Sequence, residues 1–243
     1  MKKTCYLHVG LHKTASTSFQ QTCKLNREIL SDAGIYFPVF GTGENCNHSR
    51  PITRLLSNNA SPLVQTQFEE ALETDQNLLL SGEDFSCFGN QSLHSLTDQL
   101  IEKNFDLKVF GVVRKAYSFA CSAYQQMIKG GRHFNNIGLG QLRSAVEANE
   151  LEVPHRHRQI NTLQTVFKER ITLYSFDECC RQKDGPVGFI FNKVLGLNKQ
   201  HLASMKEVRT NKSLSNIETR LLNHMNQNPT FKKLSLTTKQ KLI

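Results

Sequence analysis

Short apolar runs alternate along this chain with longer segments in which apolar residues recur every three or four positions. Thr4–Val9 reads as a short buried strand and Gly10-Leu11-His12-Lys13-Thr14-Ala15 as a loop. A helix starts at Ser16, with Phe19, Cys23, Leu30 and Ala33 at helical spacings and Gly34 as its stop. A short strand, Ile35–Phe37, ends at Pro38, and the Gly- and Asn-containing stretch Val39–Ser49 reads as a loop. Helical spacing returns in Pro62–Thr74, Asn77–Ser81 is a Leu-rich strand ending at Gly82-Glu83-Asp84, and Ser92–Lys103 is a helix. Lys108–Val113 is a strand ending at Arg114, followed by a helix, Tyr117–Lys129, that Gly130-Gly131 stops. Beyond it the pattern predicts helix Pro154–Lys168, strand Ile171–Ser175 and helix Val187–Leu195. Strand and helix therefore alternate, which predicts an α/β fold: a three-layer sandwich with a mostly parallel central sheet and ligands at the carboxyl ends of its strands.

Length and composition narrow the class. The 243 residues, 38% hydrophobic and 21% charged and without low-complexity tracts, suffice for one substantial core, and we read residues 1–243 as one domain. No apolar run approaches the roughly 20 residues that cross a bilayer, and Met1-Lys2-Lys3 leads into a strand rather than a secretory signal, so the expectation is a cytoplasmic protein with no membrane span. Seven cysteines without a C-x-x-C pair suggest reduced thiols rather than a disulfide framework or a zinc site. The formal charge of +9 is spread out, and its densest cluster (Lys232, Lys233, Lys239, Lys241) reads as a solvated helix face, so an anionic small molecule or acidic saccharide accounts for it and nucleic acid is not the implied partner. Nothing in the sequence specifies an oligomeric state.

The most informative stretch is Gly10-Leu11-His12-Lys13-Thr14-Ala15-Ser16-Thr17-Ser18, between a strand and a helix. Main-chain N–H groups at a helix start, the positive end of its dipole and the hydroxyls of Thr14, Ser16, Thr17 and Ser18 can surround a tetrahedral anion, with Lys13 adding a movable charge. The plainer alternative is a Ser/Thr-capped helix with a lysine in water. It is not a Walker A loop, because His12 stands where that motif has its second glycine.

This stretch resembles the 5′-phosphosulfate-binding loop of the sulfotransferase superfamily, usually close to K-[ST]-G-[ST]-[ST], with Ala15 in place of the glycine. The resemblance implies a P-loop-like sulfotransferase fold and 3′-phosphoadenosine 5′-phosphosulfate as donor, held by Lys13, Thr14, Ala15, Ser16, Thr17 and Ser18. A second stretch, Val109 to Tyr124, resembles the family's 3′-phosphate site: Arg114 ends a strand and Ser122 follows eight positions later. In the third, Leu78 to Phe85, a carboxylate lies just past a strand end. Related saccharide sulfotransferases use a glutamate there as base, which implies that role for Glu83, with Asp84, His8 and His12 as alternatives.

Looser likeness extends to Arg209-Thr210-Asn211-Lys212-Ser213-Leu214-Ser215, where Arg209 and Lys212 are implied donor contacts; the alternative is a polar loop in which Ser213 or Ser215 caps a helix. His12, Asp84 and His155 are candidate acceptor contacts, His155 within the basic run His155-Arg156-His157-Arg158. The implied reaction is in-line sulfuryl transfer to an acceptor hydroxyl, on a saccharide, glycolipid or small alcohol, and it requires no metal. Two rivals stay open: a magnesium-dependent small-molecule kinase, and a non-catalytic nucleotide or polyanion binder of the same fold.

Overall fold

The computed structural model describes residues 2–42, 46–137, 142–148, 156–210 and 213–241. Five strands, β1 (Lys3–His8), β2 (Ile35–Tyr36), β3 (Asn77–Ser81), β4 (Phe105–Val113) and β5 (Ile171–Ser175), form one sheet in the order β2-β3-β1-β4-β5, parallel at every junction. The helices are α1 (Ser16–Leu25), α2 (Arg27–Asp32), α3 (Ser49–Leu56), α4 (Pro62–Glu73), α5 (Asn90–Glu102), α6 (Ala116–Lys129), α7 (Leu142–Glu147), α8 (His157–Phe167), α9 (Phe176–Arg181), α10 (Gly185–Phe189), α11 (Lys199–Ser204), α12 (Asn216–Met225), α13 (Pro229–Lys232) and α14 (Leu236–Lys241). The chain groups into two compact units: Met1–Val113 with His157–Thr210, and Arg114–Arg156 with Asn211–Ile243. No helix among the described residues is long and apolar enough to cross a membrane.

In the first unit both faces of the sheet are buried, as a parallel sheet with helices on each face demands. Cys5, Leu7 and Val9, Leu78 and Leu80, and Phe105, Leu107 and Val109 pack on one face against Ile52 of α3, Phe68 and Leu72 of α4, Leu93, Leu96 and Leu100 of α5, and Leu163 and Phe167 of α8. On the other face Leu79, Phe110 and Val112 meet Phe19 and Cys23 of α1, Leu30 of α2 and the segment Val187–Leu197. The layered α/β architecture expected from the alternation is therefore present. Each such side chain contributes about 1.5–3 kcal/mol by leaving water.

Several expected elements differ from the observed ones by one to three residues at an end, and three differ in kind or most in extent. The helix read from Ser16 breaks at Asn26, whose side chain donates to Thr22 O (2.7 Å), so two helices replace one. Strand β4 begins at Phe105, its first turns alternating buried Phe105 and Leu107 with exposed Asp106 and Lys108. The helix expected over 187–195 is α10 continued by a π-helical turn, Ile190–Val194. Helix α3 was not foreseen at all.

The second unit gathers Ala120, Tyr124 and Ile128 of α6, Ala145 and Val146 of α7, Leu222 of α12 and Phe231 of α13. Side-chain amides tie it together: Gln125 donates to Leu214 O (2.9 Å) and accepts from Leu214 N–H (3.1 Å), while Asn223 does the same for Phe134 (2.9 Å each way). Ser215 caps α12, and Glu218 completes a capping box by accepting from the Ser215 N–H at 2.6 Å.

Beneath the carboxyl ends of β1 and β3 lies a buried polar knot around Ser81. His48 donates from Nε2 to Pro38 O (3.0 Å) and accepts at Nδ1 from the Ser81 N–H (3.1 Å), which fixes its neutral tautomer. His8 Nδ1 lies 2.8 Å from Ser81 Oγ, which also accepts from Gln20 Nε2 (3.2 Å). The His8 ring stacks on Phe110 (5.0 Å between centroids), and its Nε2 is buried without a hydrogen-bond partner among the described residues. Burial pushes His8 down to about 4 from an ordinary 6.5, against an upward pull from Glu83, and pushes His48 down to about 3, against its bond to Pro38. The unfolded chain therefore binds protons below pH 6.5 that the folded protein refuses, so the stability from neutral burial is complete above that pH and is lost as pH falls towards 4. The expected outcome is a urea midpoint that drops between pH 7.5 and 5, with a slope of up to about 1.4 kcal/mol per pH unit for each ring, and a shallower drop in His48→Gln. Equal midpoints at both pH values would contradict buried neutral histidines.

Candidate active site

The chain leaves β1 through a loop whose backbone is unusual. Gly10 (φ 75°), Leu11 (72°), Lys13 (67°) and Ala15 (66°) all occupy the left-handed region, three of them non-glycine residues within five positions. Each such residue costs about 1–2 kcal/mol relative to right-handed backbone. Residues of alternating handedness turn successive N–H groups towards a common point, the concavity that binds anions. The loop ends at Ala15, the N-cap of α1, which makes no side-chain capping bond. The glycine conformation at the family's K-[ST]-G position is thus adopted here by an alanine, under strain.

The hydroxyls divide in their duties. Thr14 Oγ1 donates to Leu11 O (2.7 Å), closing the loop on itself, and lies 3.5 Å from Ser16 Oγ; both residues are buried. Ser18 Oγ accepts from the Thr210 N–H (3.1 Å) and lies 3.1 Å from Thr210 Oγ1. One helical turn on, Thr22 Oγ1 accepts from the Val208 N–H (3.0 Å), and a turn later Asn26 Oδ1 accepts from the Lys206 N–H (2.9 Å). Ser18, Thr22 and Asn26, spaced four apart, thus form a polar seam that clips residues 206–210 onto α1. Ser18 serves this seam, whereas Thr17 and Lys13 are part-exposed at the loop.

Against the loop stands the 3-10 turn Glu83–Cys87 that follows β3. Gly82 N–H donates to His8 O (3.0 Å) and Ser86 N–H to Val9 O (3.1 Å), and the side chains of Asn47 and Ser49 accept from the N–H groups of Glu83 (3.3 Å) and Asp84 (3.0 Å). A side chain at Gly10 would overlap the Glu83 carbonyl and stand 2.6 Å from its Cα, so only glycine permits this approach. The approach puts His12 between two carboxylates: Nδ1 is 3.5 Å from Glu83 Oε1, and Nε2 is 3.3 Å from Asp84 Oδ1. Its bond to His12, aided by the electrostatic pull of His12, Lys13 and His8, holds the Glu83 carboxyl below its usual range although burial opposes this. Glu83 is ionised at neutral pH. His12 likewise holds the exposed Cys87 thiol below its usual range, and Gln159 Nε2 of α8 donates to Cys87 Sγ (3.2 Å).

In the second unit, Arg114 and Ser122 line one cleft of about 240 Å³ with Cys121, Gln125, Arg143, Ser213 and Asn216. Arg114 Nε donates to Ser118 Oγ (2.8 Å), which fixes the guanidinium across the first turn of α6. Arg143 supplies a second cation; it pairs with Glu147 (2.8 Å) and covers the Tyr117 ring at 4.7 Å. Sequence reading missed both Ser118 and Arg143. Ser118 was discoverable as the residue four after Arg114 on a helix, whereas nothing local marks Arg143. Arg209, with a side chain 75% exposed, donates to Glu207 at 3.2 Å from both Nε and Nη2. Lys212 and His155 lie outside the described residues.

Neither a protein-family model nor a curated protein sequence matches the chain. Two solved structures are similar to it: mouse sulfotransferase SULT7A1 complexed with PAP, at 11% identity and a TM-score of 0.40, and a retinol dehydratase in complex with androsterone and inactive cofactor PAP, at 10% and 0.35. Each likeness covers 93% of this chain, which spans 64% and 65% of those two chains, just under two thirds of their length. Similarity at this level leaves the chemistry to the side chains.

Left-handed backbone makes Gly10 and Ala15 respond differently to exchange of glycine and alanine. Gly10→Ala should cost about 3 kcal/mol in urea unfolding, from its left-handed strain and its overlap with Glu83. Ala15→Gly should change stability by less than about 1 kcal/mol, relief of strain offsetting the added freedom of the unfolded chain. A tolerated Gly10→Ala would mean that the loop does not abut Glu83.

Proposed function

We propose that the chain transfers a sulfuryl group from 3′-phosphoadenosine 5′-phosphosulfate to an acceptor hydroxyl. The observation that carries this reading is the strained loop itself. Four left-handed residues leading into an uncapped helix, with Lys13 among them, make a cradle for a tetrahedral anion, and strain of that kind persists where function needs it. The resemblance of Gly10–Ser18 to the 5′-phosphosulfate loop, and of Arg114 and Ser122 to the 3′-phosphate site, assigns the two ends of the donor. Strands β1 and β4 are neighbours in the sheet, and Arg114 follows β4 directly.

In this reading the acceptor oxygen attacks sulfur as the bond from sulfur to the leaving phosphate breaks. Lys13 and the loop N–H groups neutralise charge on the sulfuryl and departing phosphate oxygens. Arg114, held by Ser118, binds the remote phosphate with Ser122 and Arg143, so that binding energy far from sulfur aligns the reacting atoms. Glu83 takes the acceptor proton. Its depressed proton affinity makes it a weak base and favours a second arrangement, in which His12 takes the proton and Glu83 orients it through Nδ1. The acceptor class is a saccharide, glycolipid or small alcohol.

Lys13→Ala should lower kcat by about 10²- to 10³-fold in a labelled sulfate-transfer assay. Arg114→Ala should weaken adenosine 3′,5′-bisphosphate binding about 10- to 100-fold by calorimetry. Glu83→Gln should leave that affinity near wild type while turnover falls. Wild-type behaviour of both cation variants would overturn the reading, and binding of ATP with magnesium in preference to the bisphosphate would replace it with a kinase. If His12 is the base, His12→Asn should lower kcat more than Glu83→Gln.

A further inference from the structure

At the edge of the anion cradle, one side-chain cluster includes a thiol, Cys87, that sulfuryl transfer does not use. We propose that His12, Asp84 and Cys87 bind a thiophilic divalent cation, Zn²⁺ or its surrogate Co²⁺, through imidazole nitrogen, carboxylate oxygen and thiolate sulfur.

The three ligand atoms lie within 4.8 Å of one another. Asp84 and Cys87 are three residues apart on the 3-10 turn, where a repeat of about three residues puts side chains i and i+3 on one face. His12 comes from the loop that Gly10 presses against that turn. Its Nε2 is 3.3 Å from Asp84 Oδ1, and two ligands bound to a tetrahedral zinc at about 2.0–2.1 Å stand about 3.3 Å apart. Only the sulfur needs to move inward.

Charge and hydrogen bonding point the same way. The imidazole faces a carboxylate at each nitrogen, and a neutral ring can donate to only one. A metal ion on Nε2, with the proton on Nδ1 towards Glu83, gives both carboxylates a partner. Glu83 then orients the ring as outer-sphere carboxylates orient metal-bound histidines, and Gln159 donates to the sulfur (3.2 Å) as N–H groups do to metal-bound thiolates. A thiolate, an imidazole and one carboxylate suit zinc or cobalt rather than magnesium or calcium. Asp84 and Cys87 together neutralise the dication, binding releases the Cys87 thiol proton, and a fourth position stays open to water. His12, Asp84 and Cys87 are all solvent-accessible, so the ion has a way in. Bound metal would occupy His12 and oppose the acceptor chemistry, making the site inhibitory.

The test is titration of the reduced full-length protein with Co²⁺, read by absorption. One equivalent should produce tetrahedral d–d bands and a thiolate-to-cobalt charge-transfer band. Cys87→Ser should abolish the charge-transfer band, and Cys87→Ser and Asp84→Asn should each weaken Zn²⁺ binding at least about tenfold in competition with a chromophoric chelator. Cys180→Ser, at another exposed thiol, should keep both. Absence of the charge-transfer band in the wild type, its survival in Cys87→Ser, or unchanged Zn²⁺ affinity in Asp84→Asn would each overturn the proposal. The readout needs no turnover: a protein that shows the band but transfers no sulfuryl group keeps this site and loses the transferase reading, and the reverse result removes this site alone.

Discussion

The site rests on a backbone-to-backbone contact: the Gly10 Cα lies flush against the main chain of Glu83, with no room for a methyl group between them. Parallel pairing of β1 with β3 brings the two strand ends level, and the bonds from Gly82 and Ser86 to His8 and Val9 lock the 3-10 turn to the start of the loop. The meeting of the loop with the carboxylates of the turn descends from this. His12 meets Glu83 and Asp84 because the loop cannot stand further off, and Lys13 influences the Glu83 carboxyl for the same reason.

What lies under the contact is as polar as what lies above it. His8, Ser81, Gln20 and His48 form a buried hydrogen-bonded network, and low-dielectric surroundings make such bonds strong and their loss costly. A network tied to both strands keeps their ends in one position, which is what a site built on loops requires of its scaffold.

Much of this was legible in the sequence, for reasons that differ from place to place. β3 and β5 were read with their observed bounds because compact apolar runs bordered by polar turns admit few alternatives. Helix α3 was hidden by Pro51, which looks like a breaker but sits in the first turn, where its missing N–H has no bond to lose. The cradle was visible as a strand, a Gly-started polar loop and a helix; its left-handed turns at Leu11, Lys13 and Ala15 were not, since no local preference drives a leucine or a lysine there. Arg114 and Ser122 do line one cleft, whereas the tethering of Ser18 to Thr210 joins residues 192 apart and has no sequence signature. Cys87 went unnoticed because one thiol is silent until a turn sets it beside a histidine from elsewhere.

The polar seam on α1 has a structural corollary. Residues 206, 208 and 210 present their N–H groups to side chains of α1, in the manner of a strand that has borrowed a helix as its neighbour. Removing that stretch would strip Ser18, Thr22 and Asn26 of their partners at once, and a helix whose first turn faces the cradle would lose its outer support. A distant segment of the chain therefore serves as a buttress for the loop that opens it.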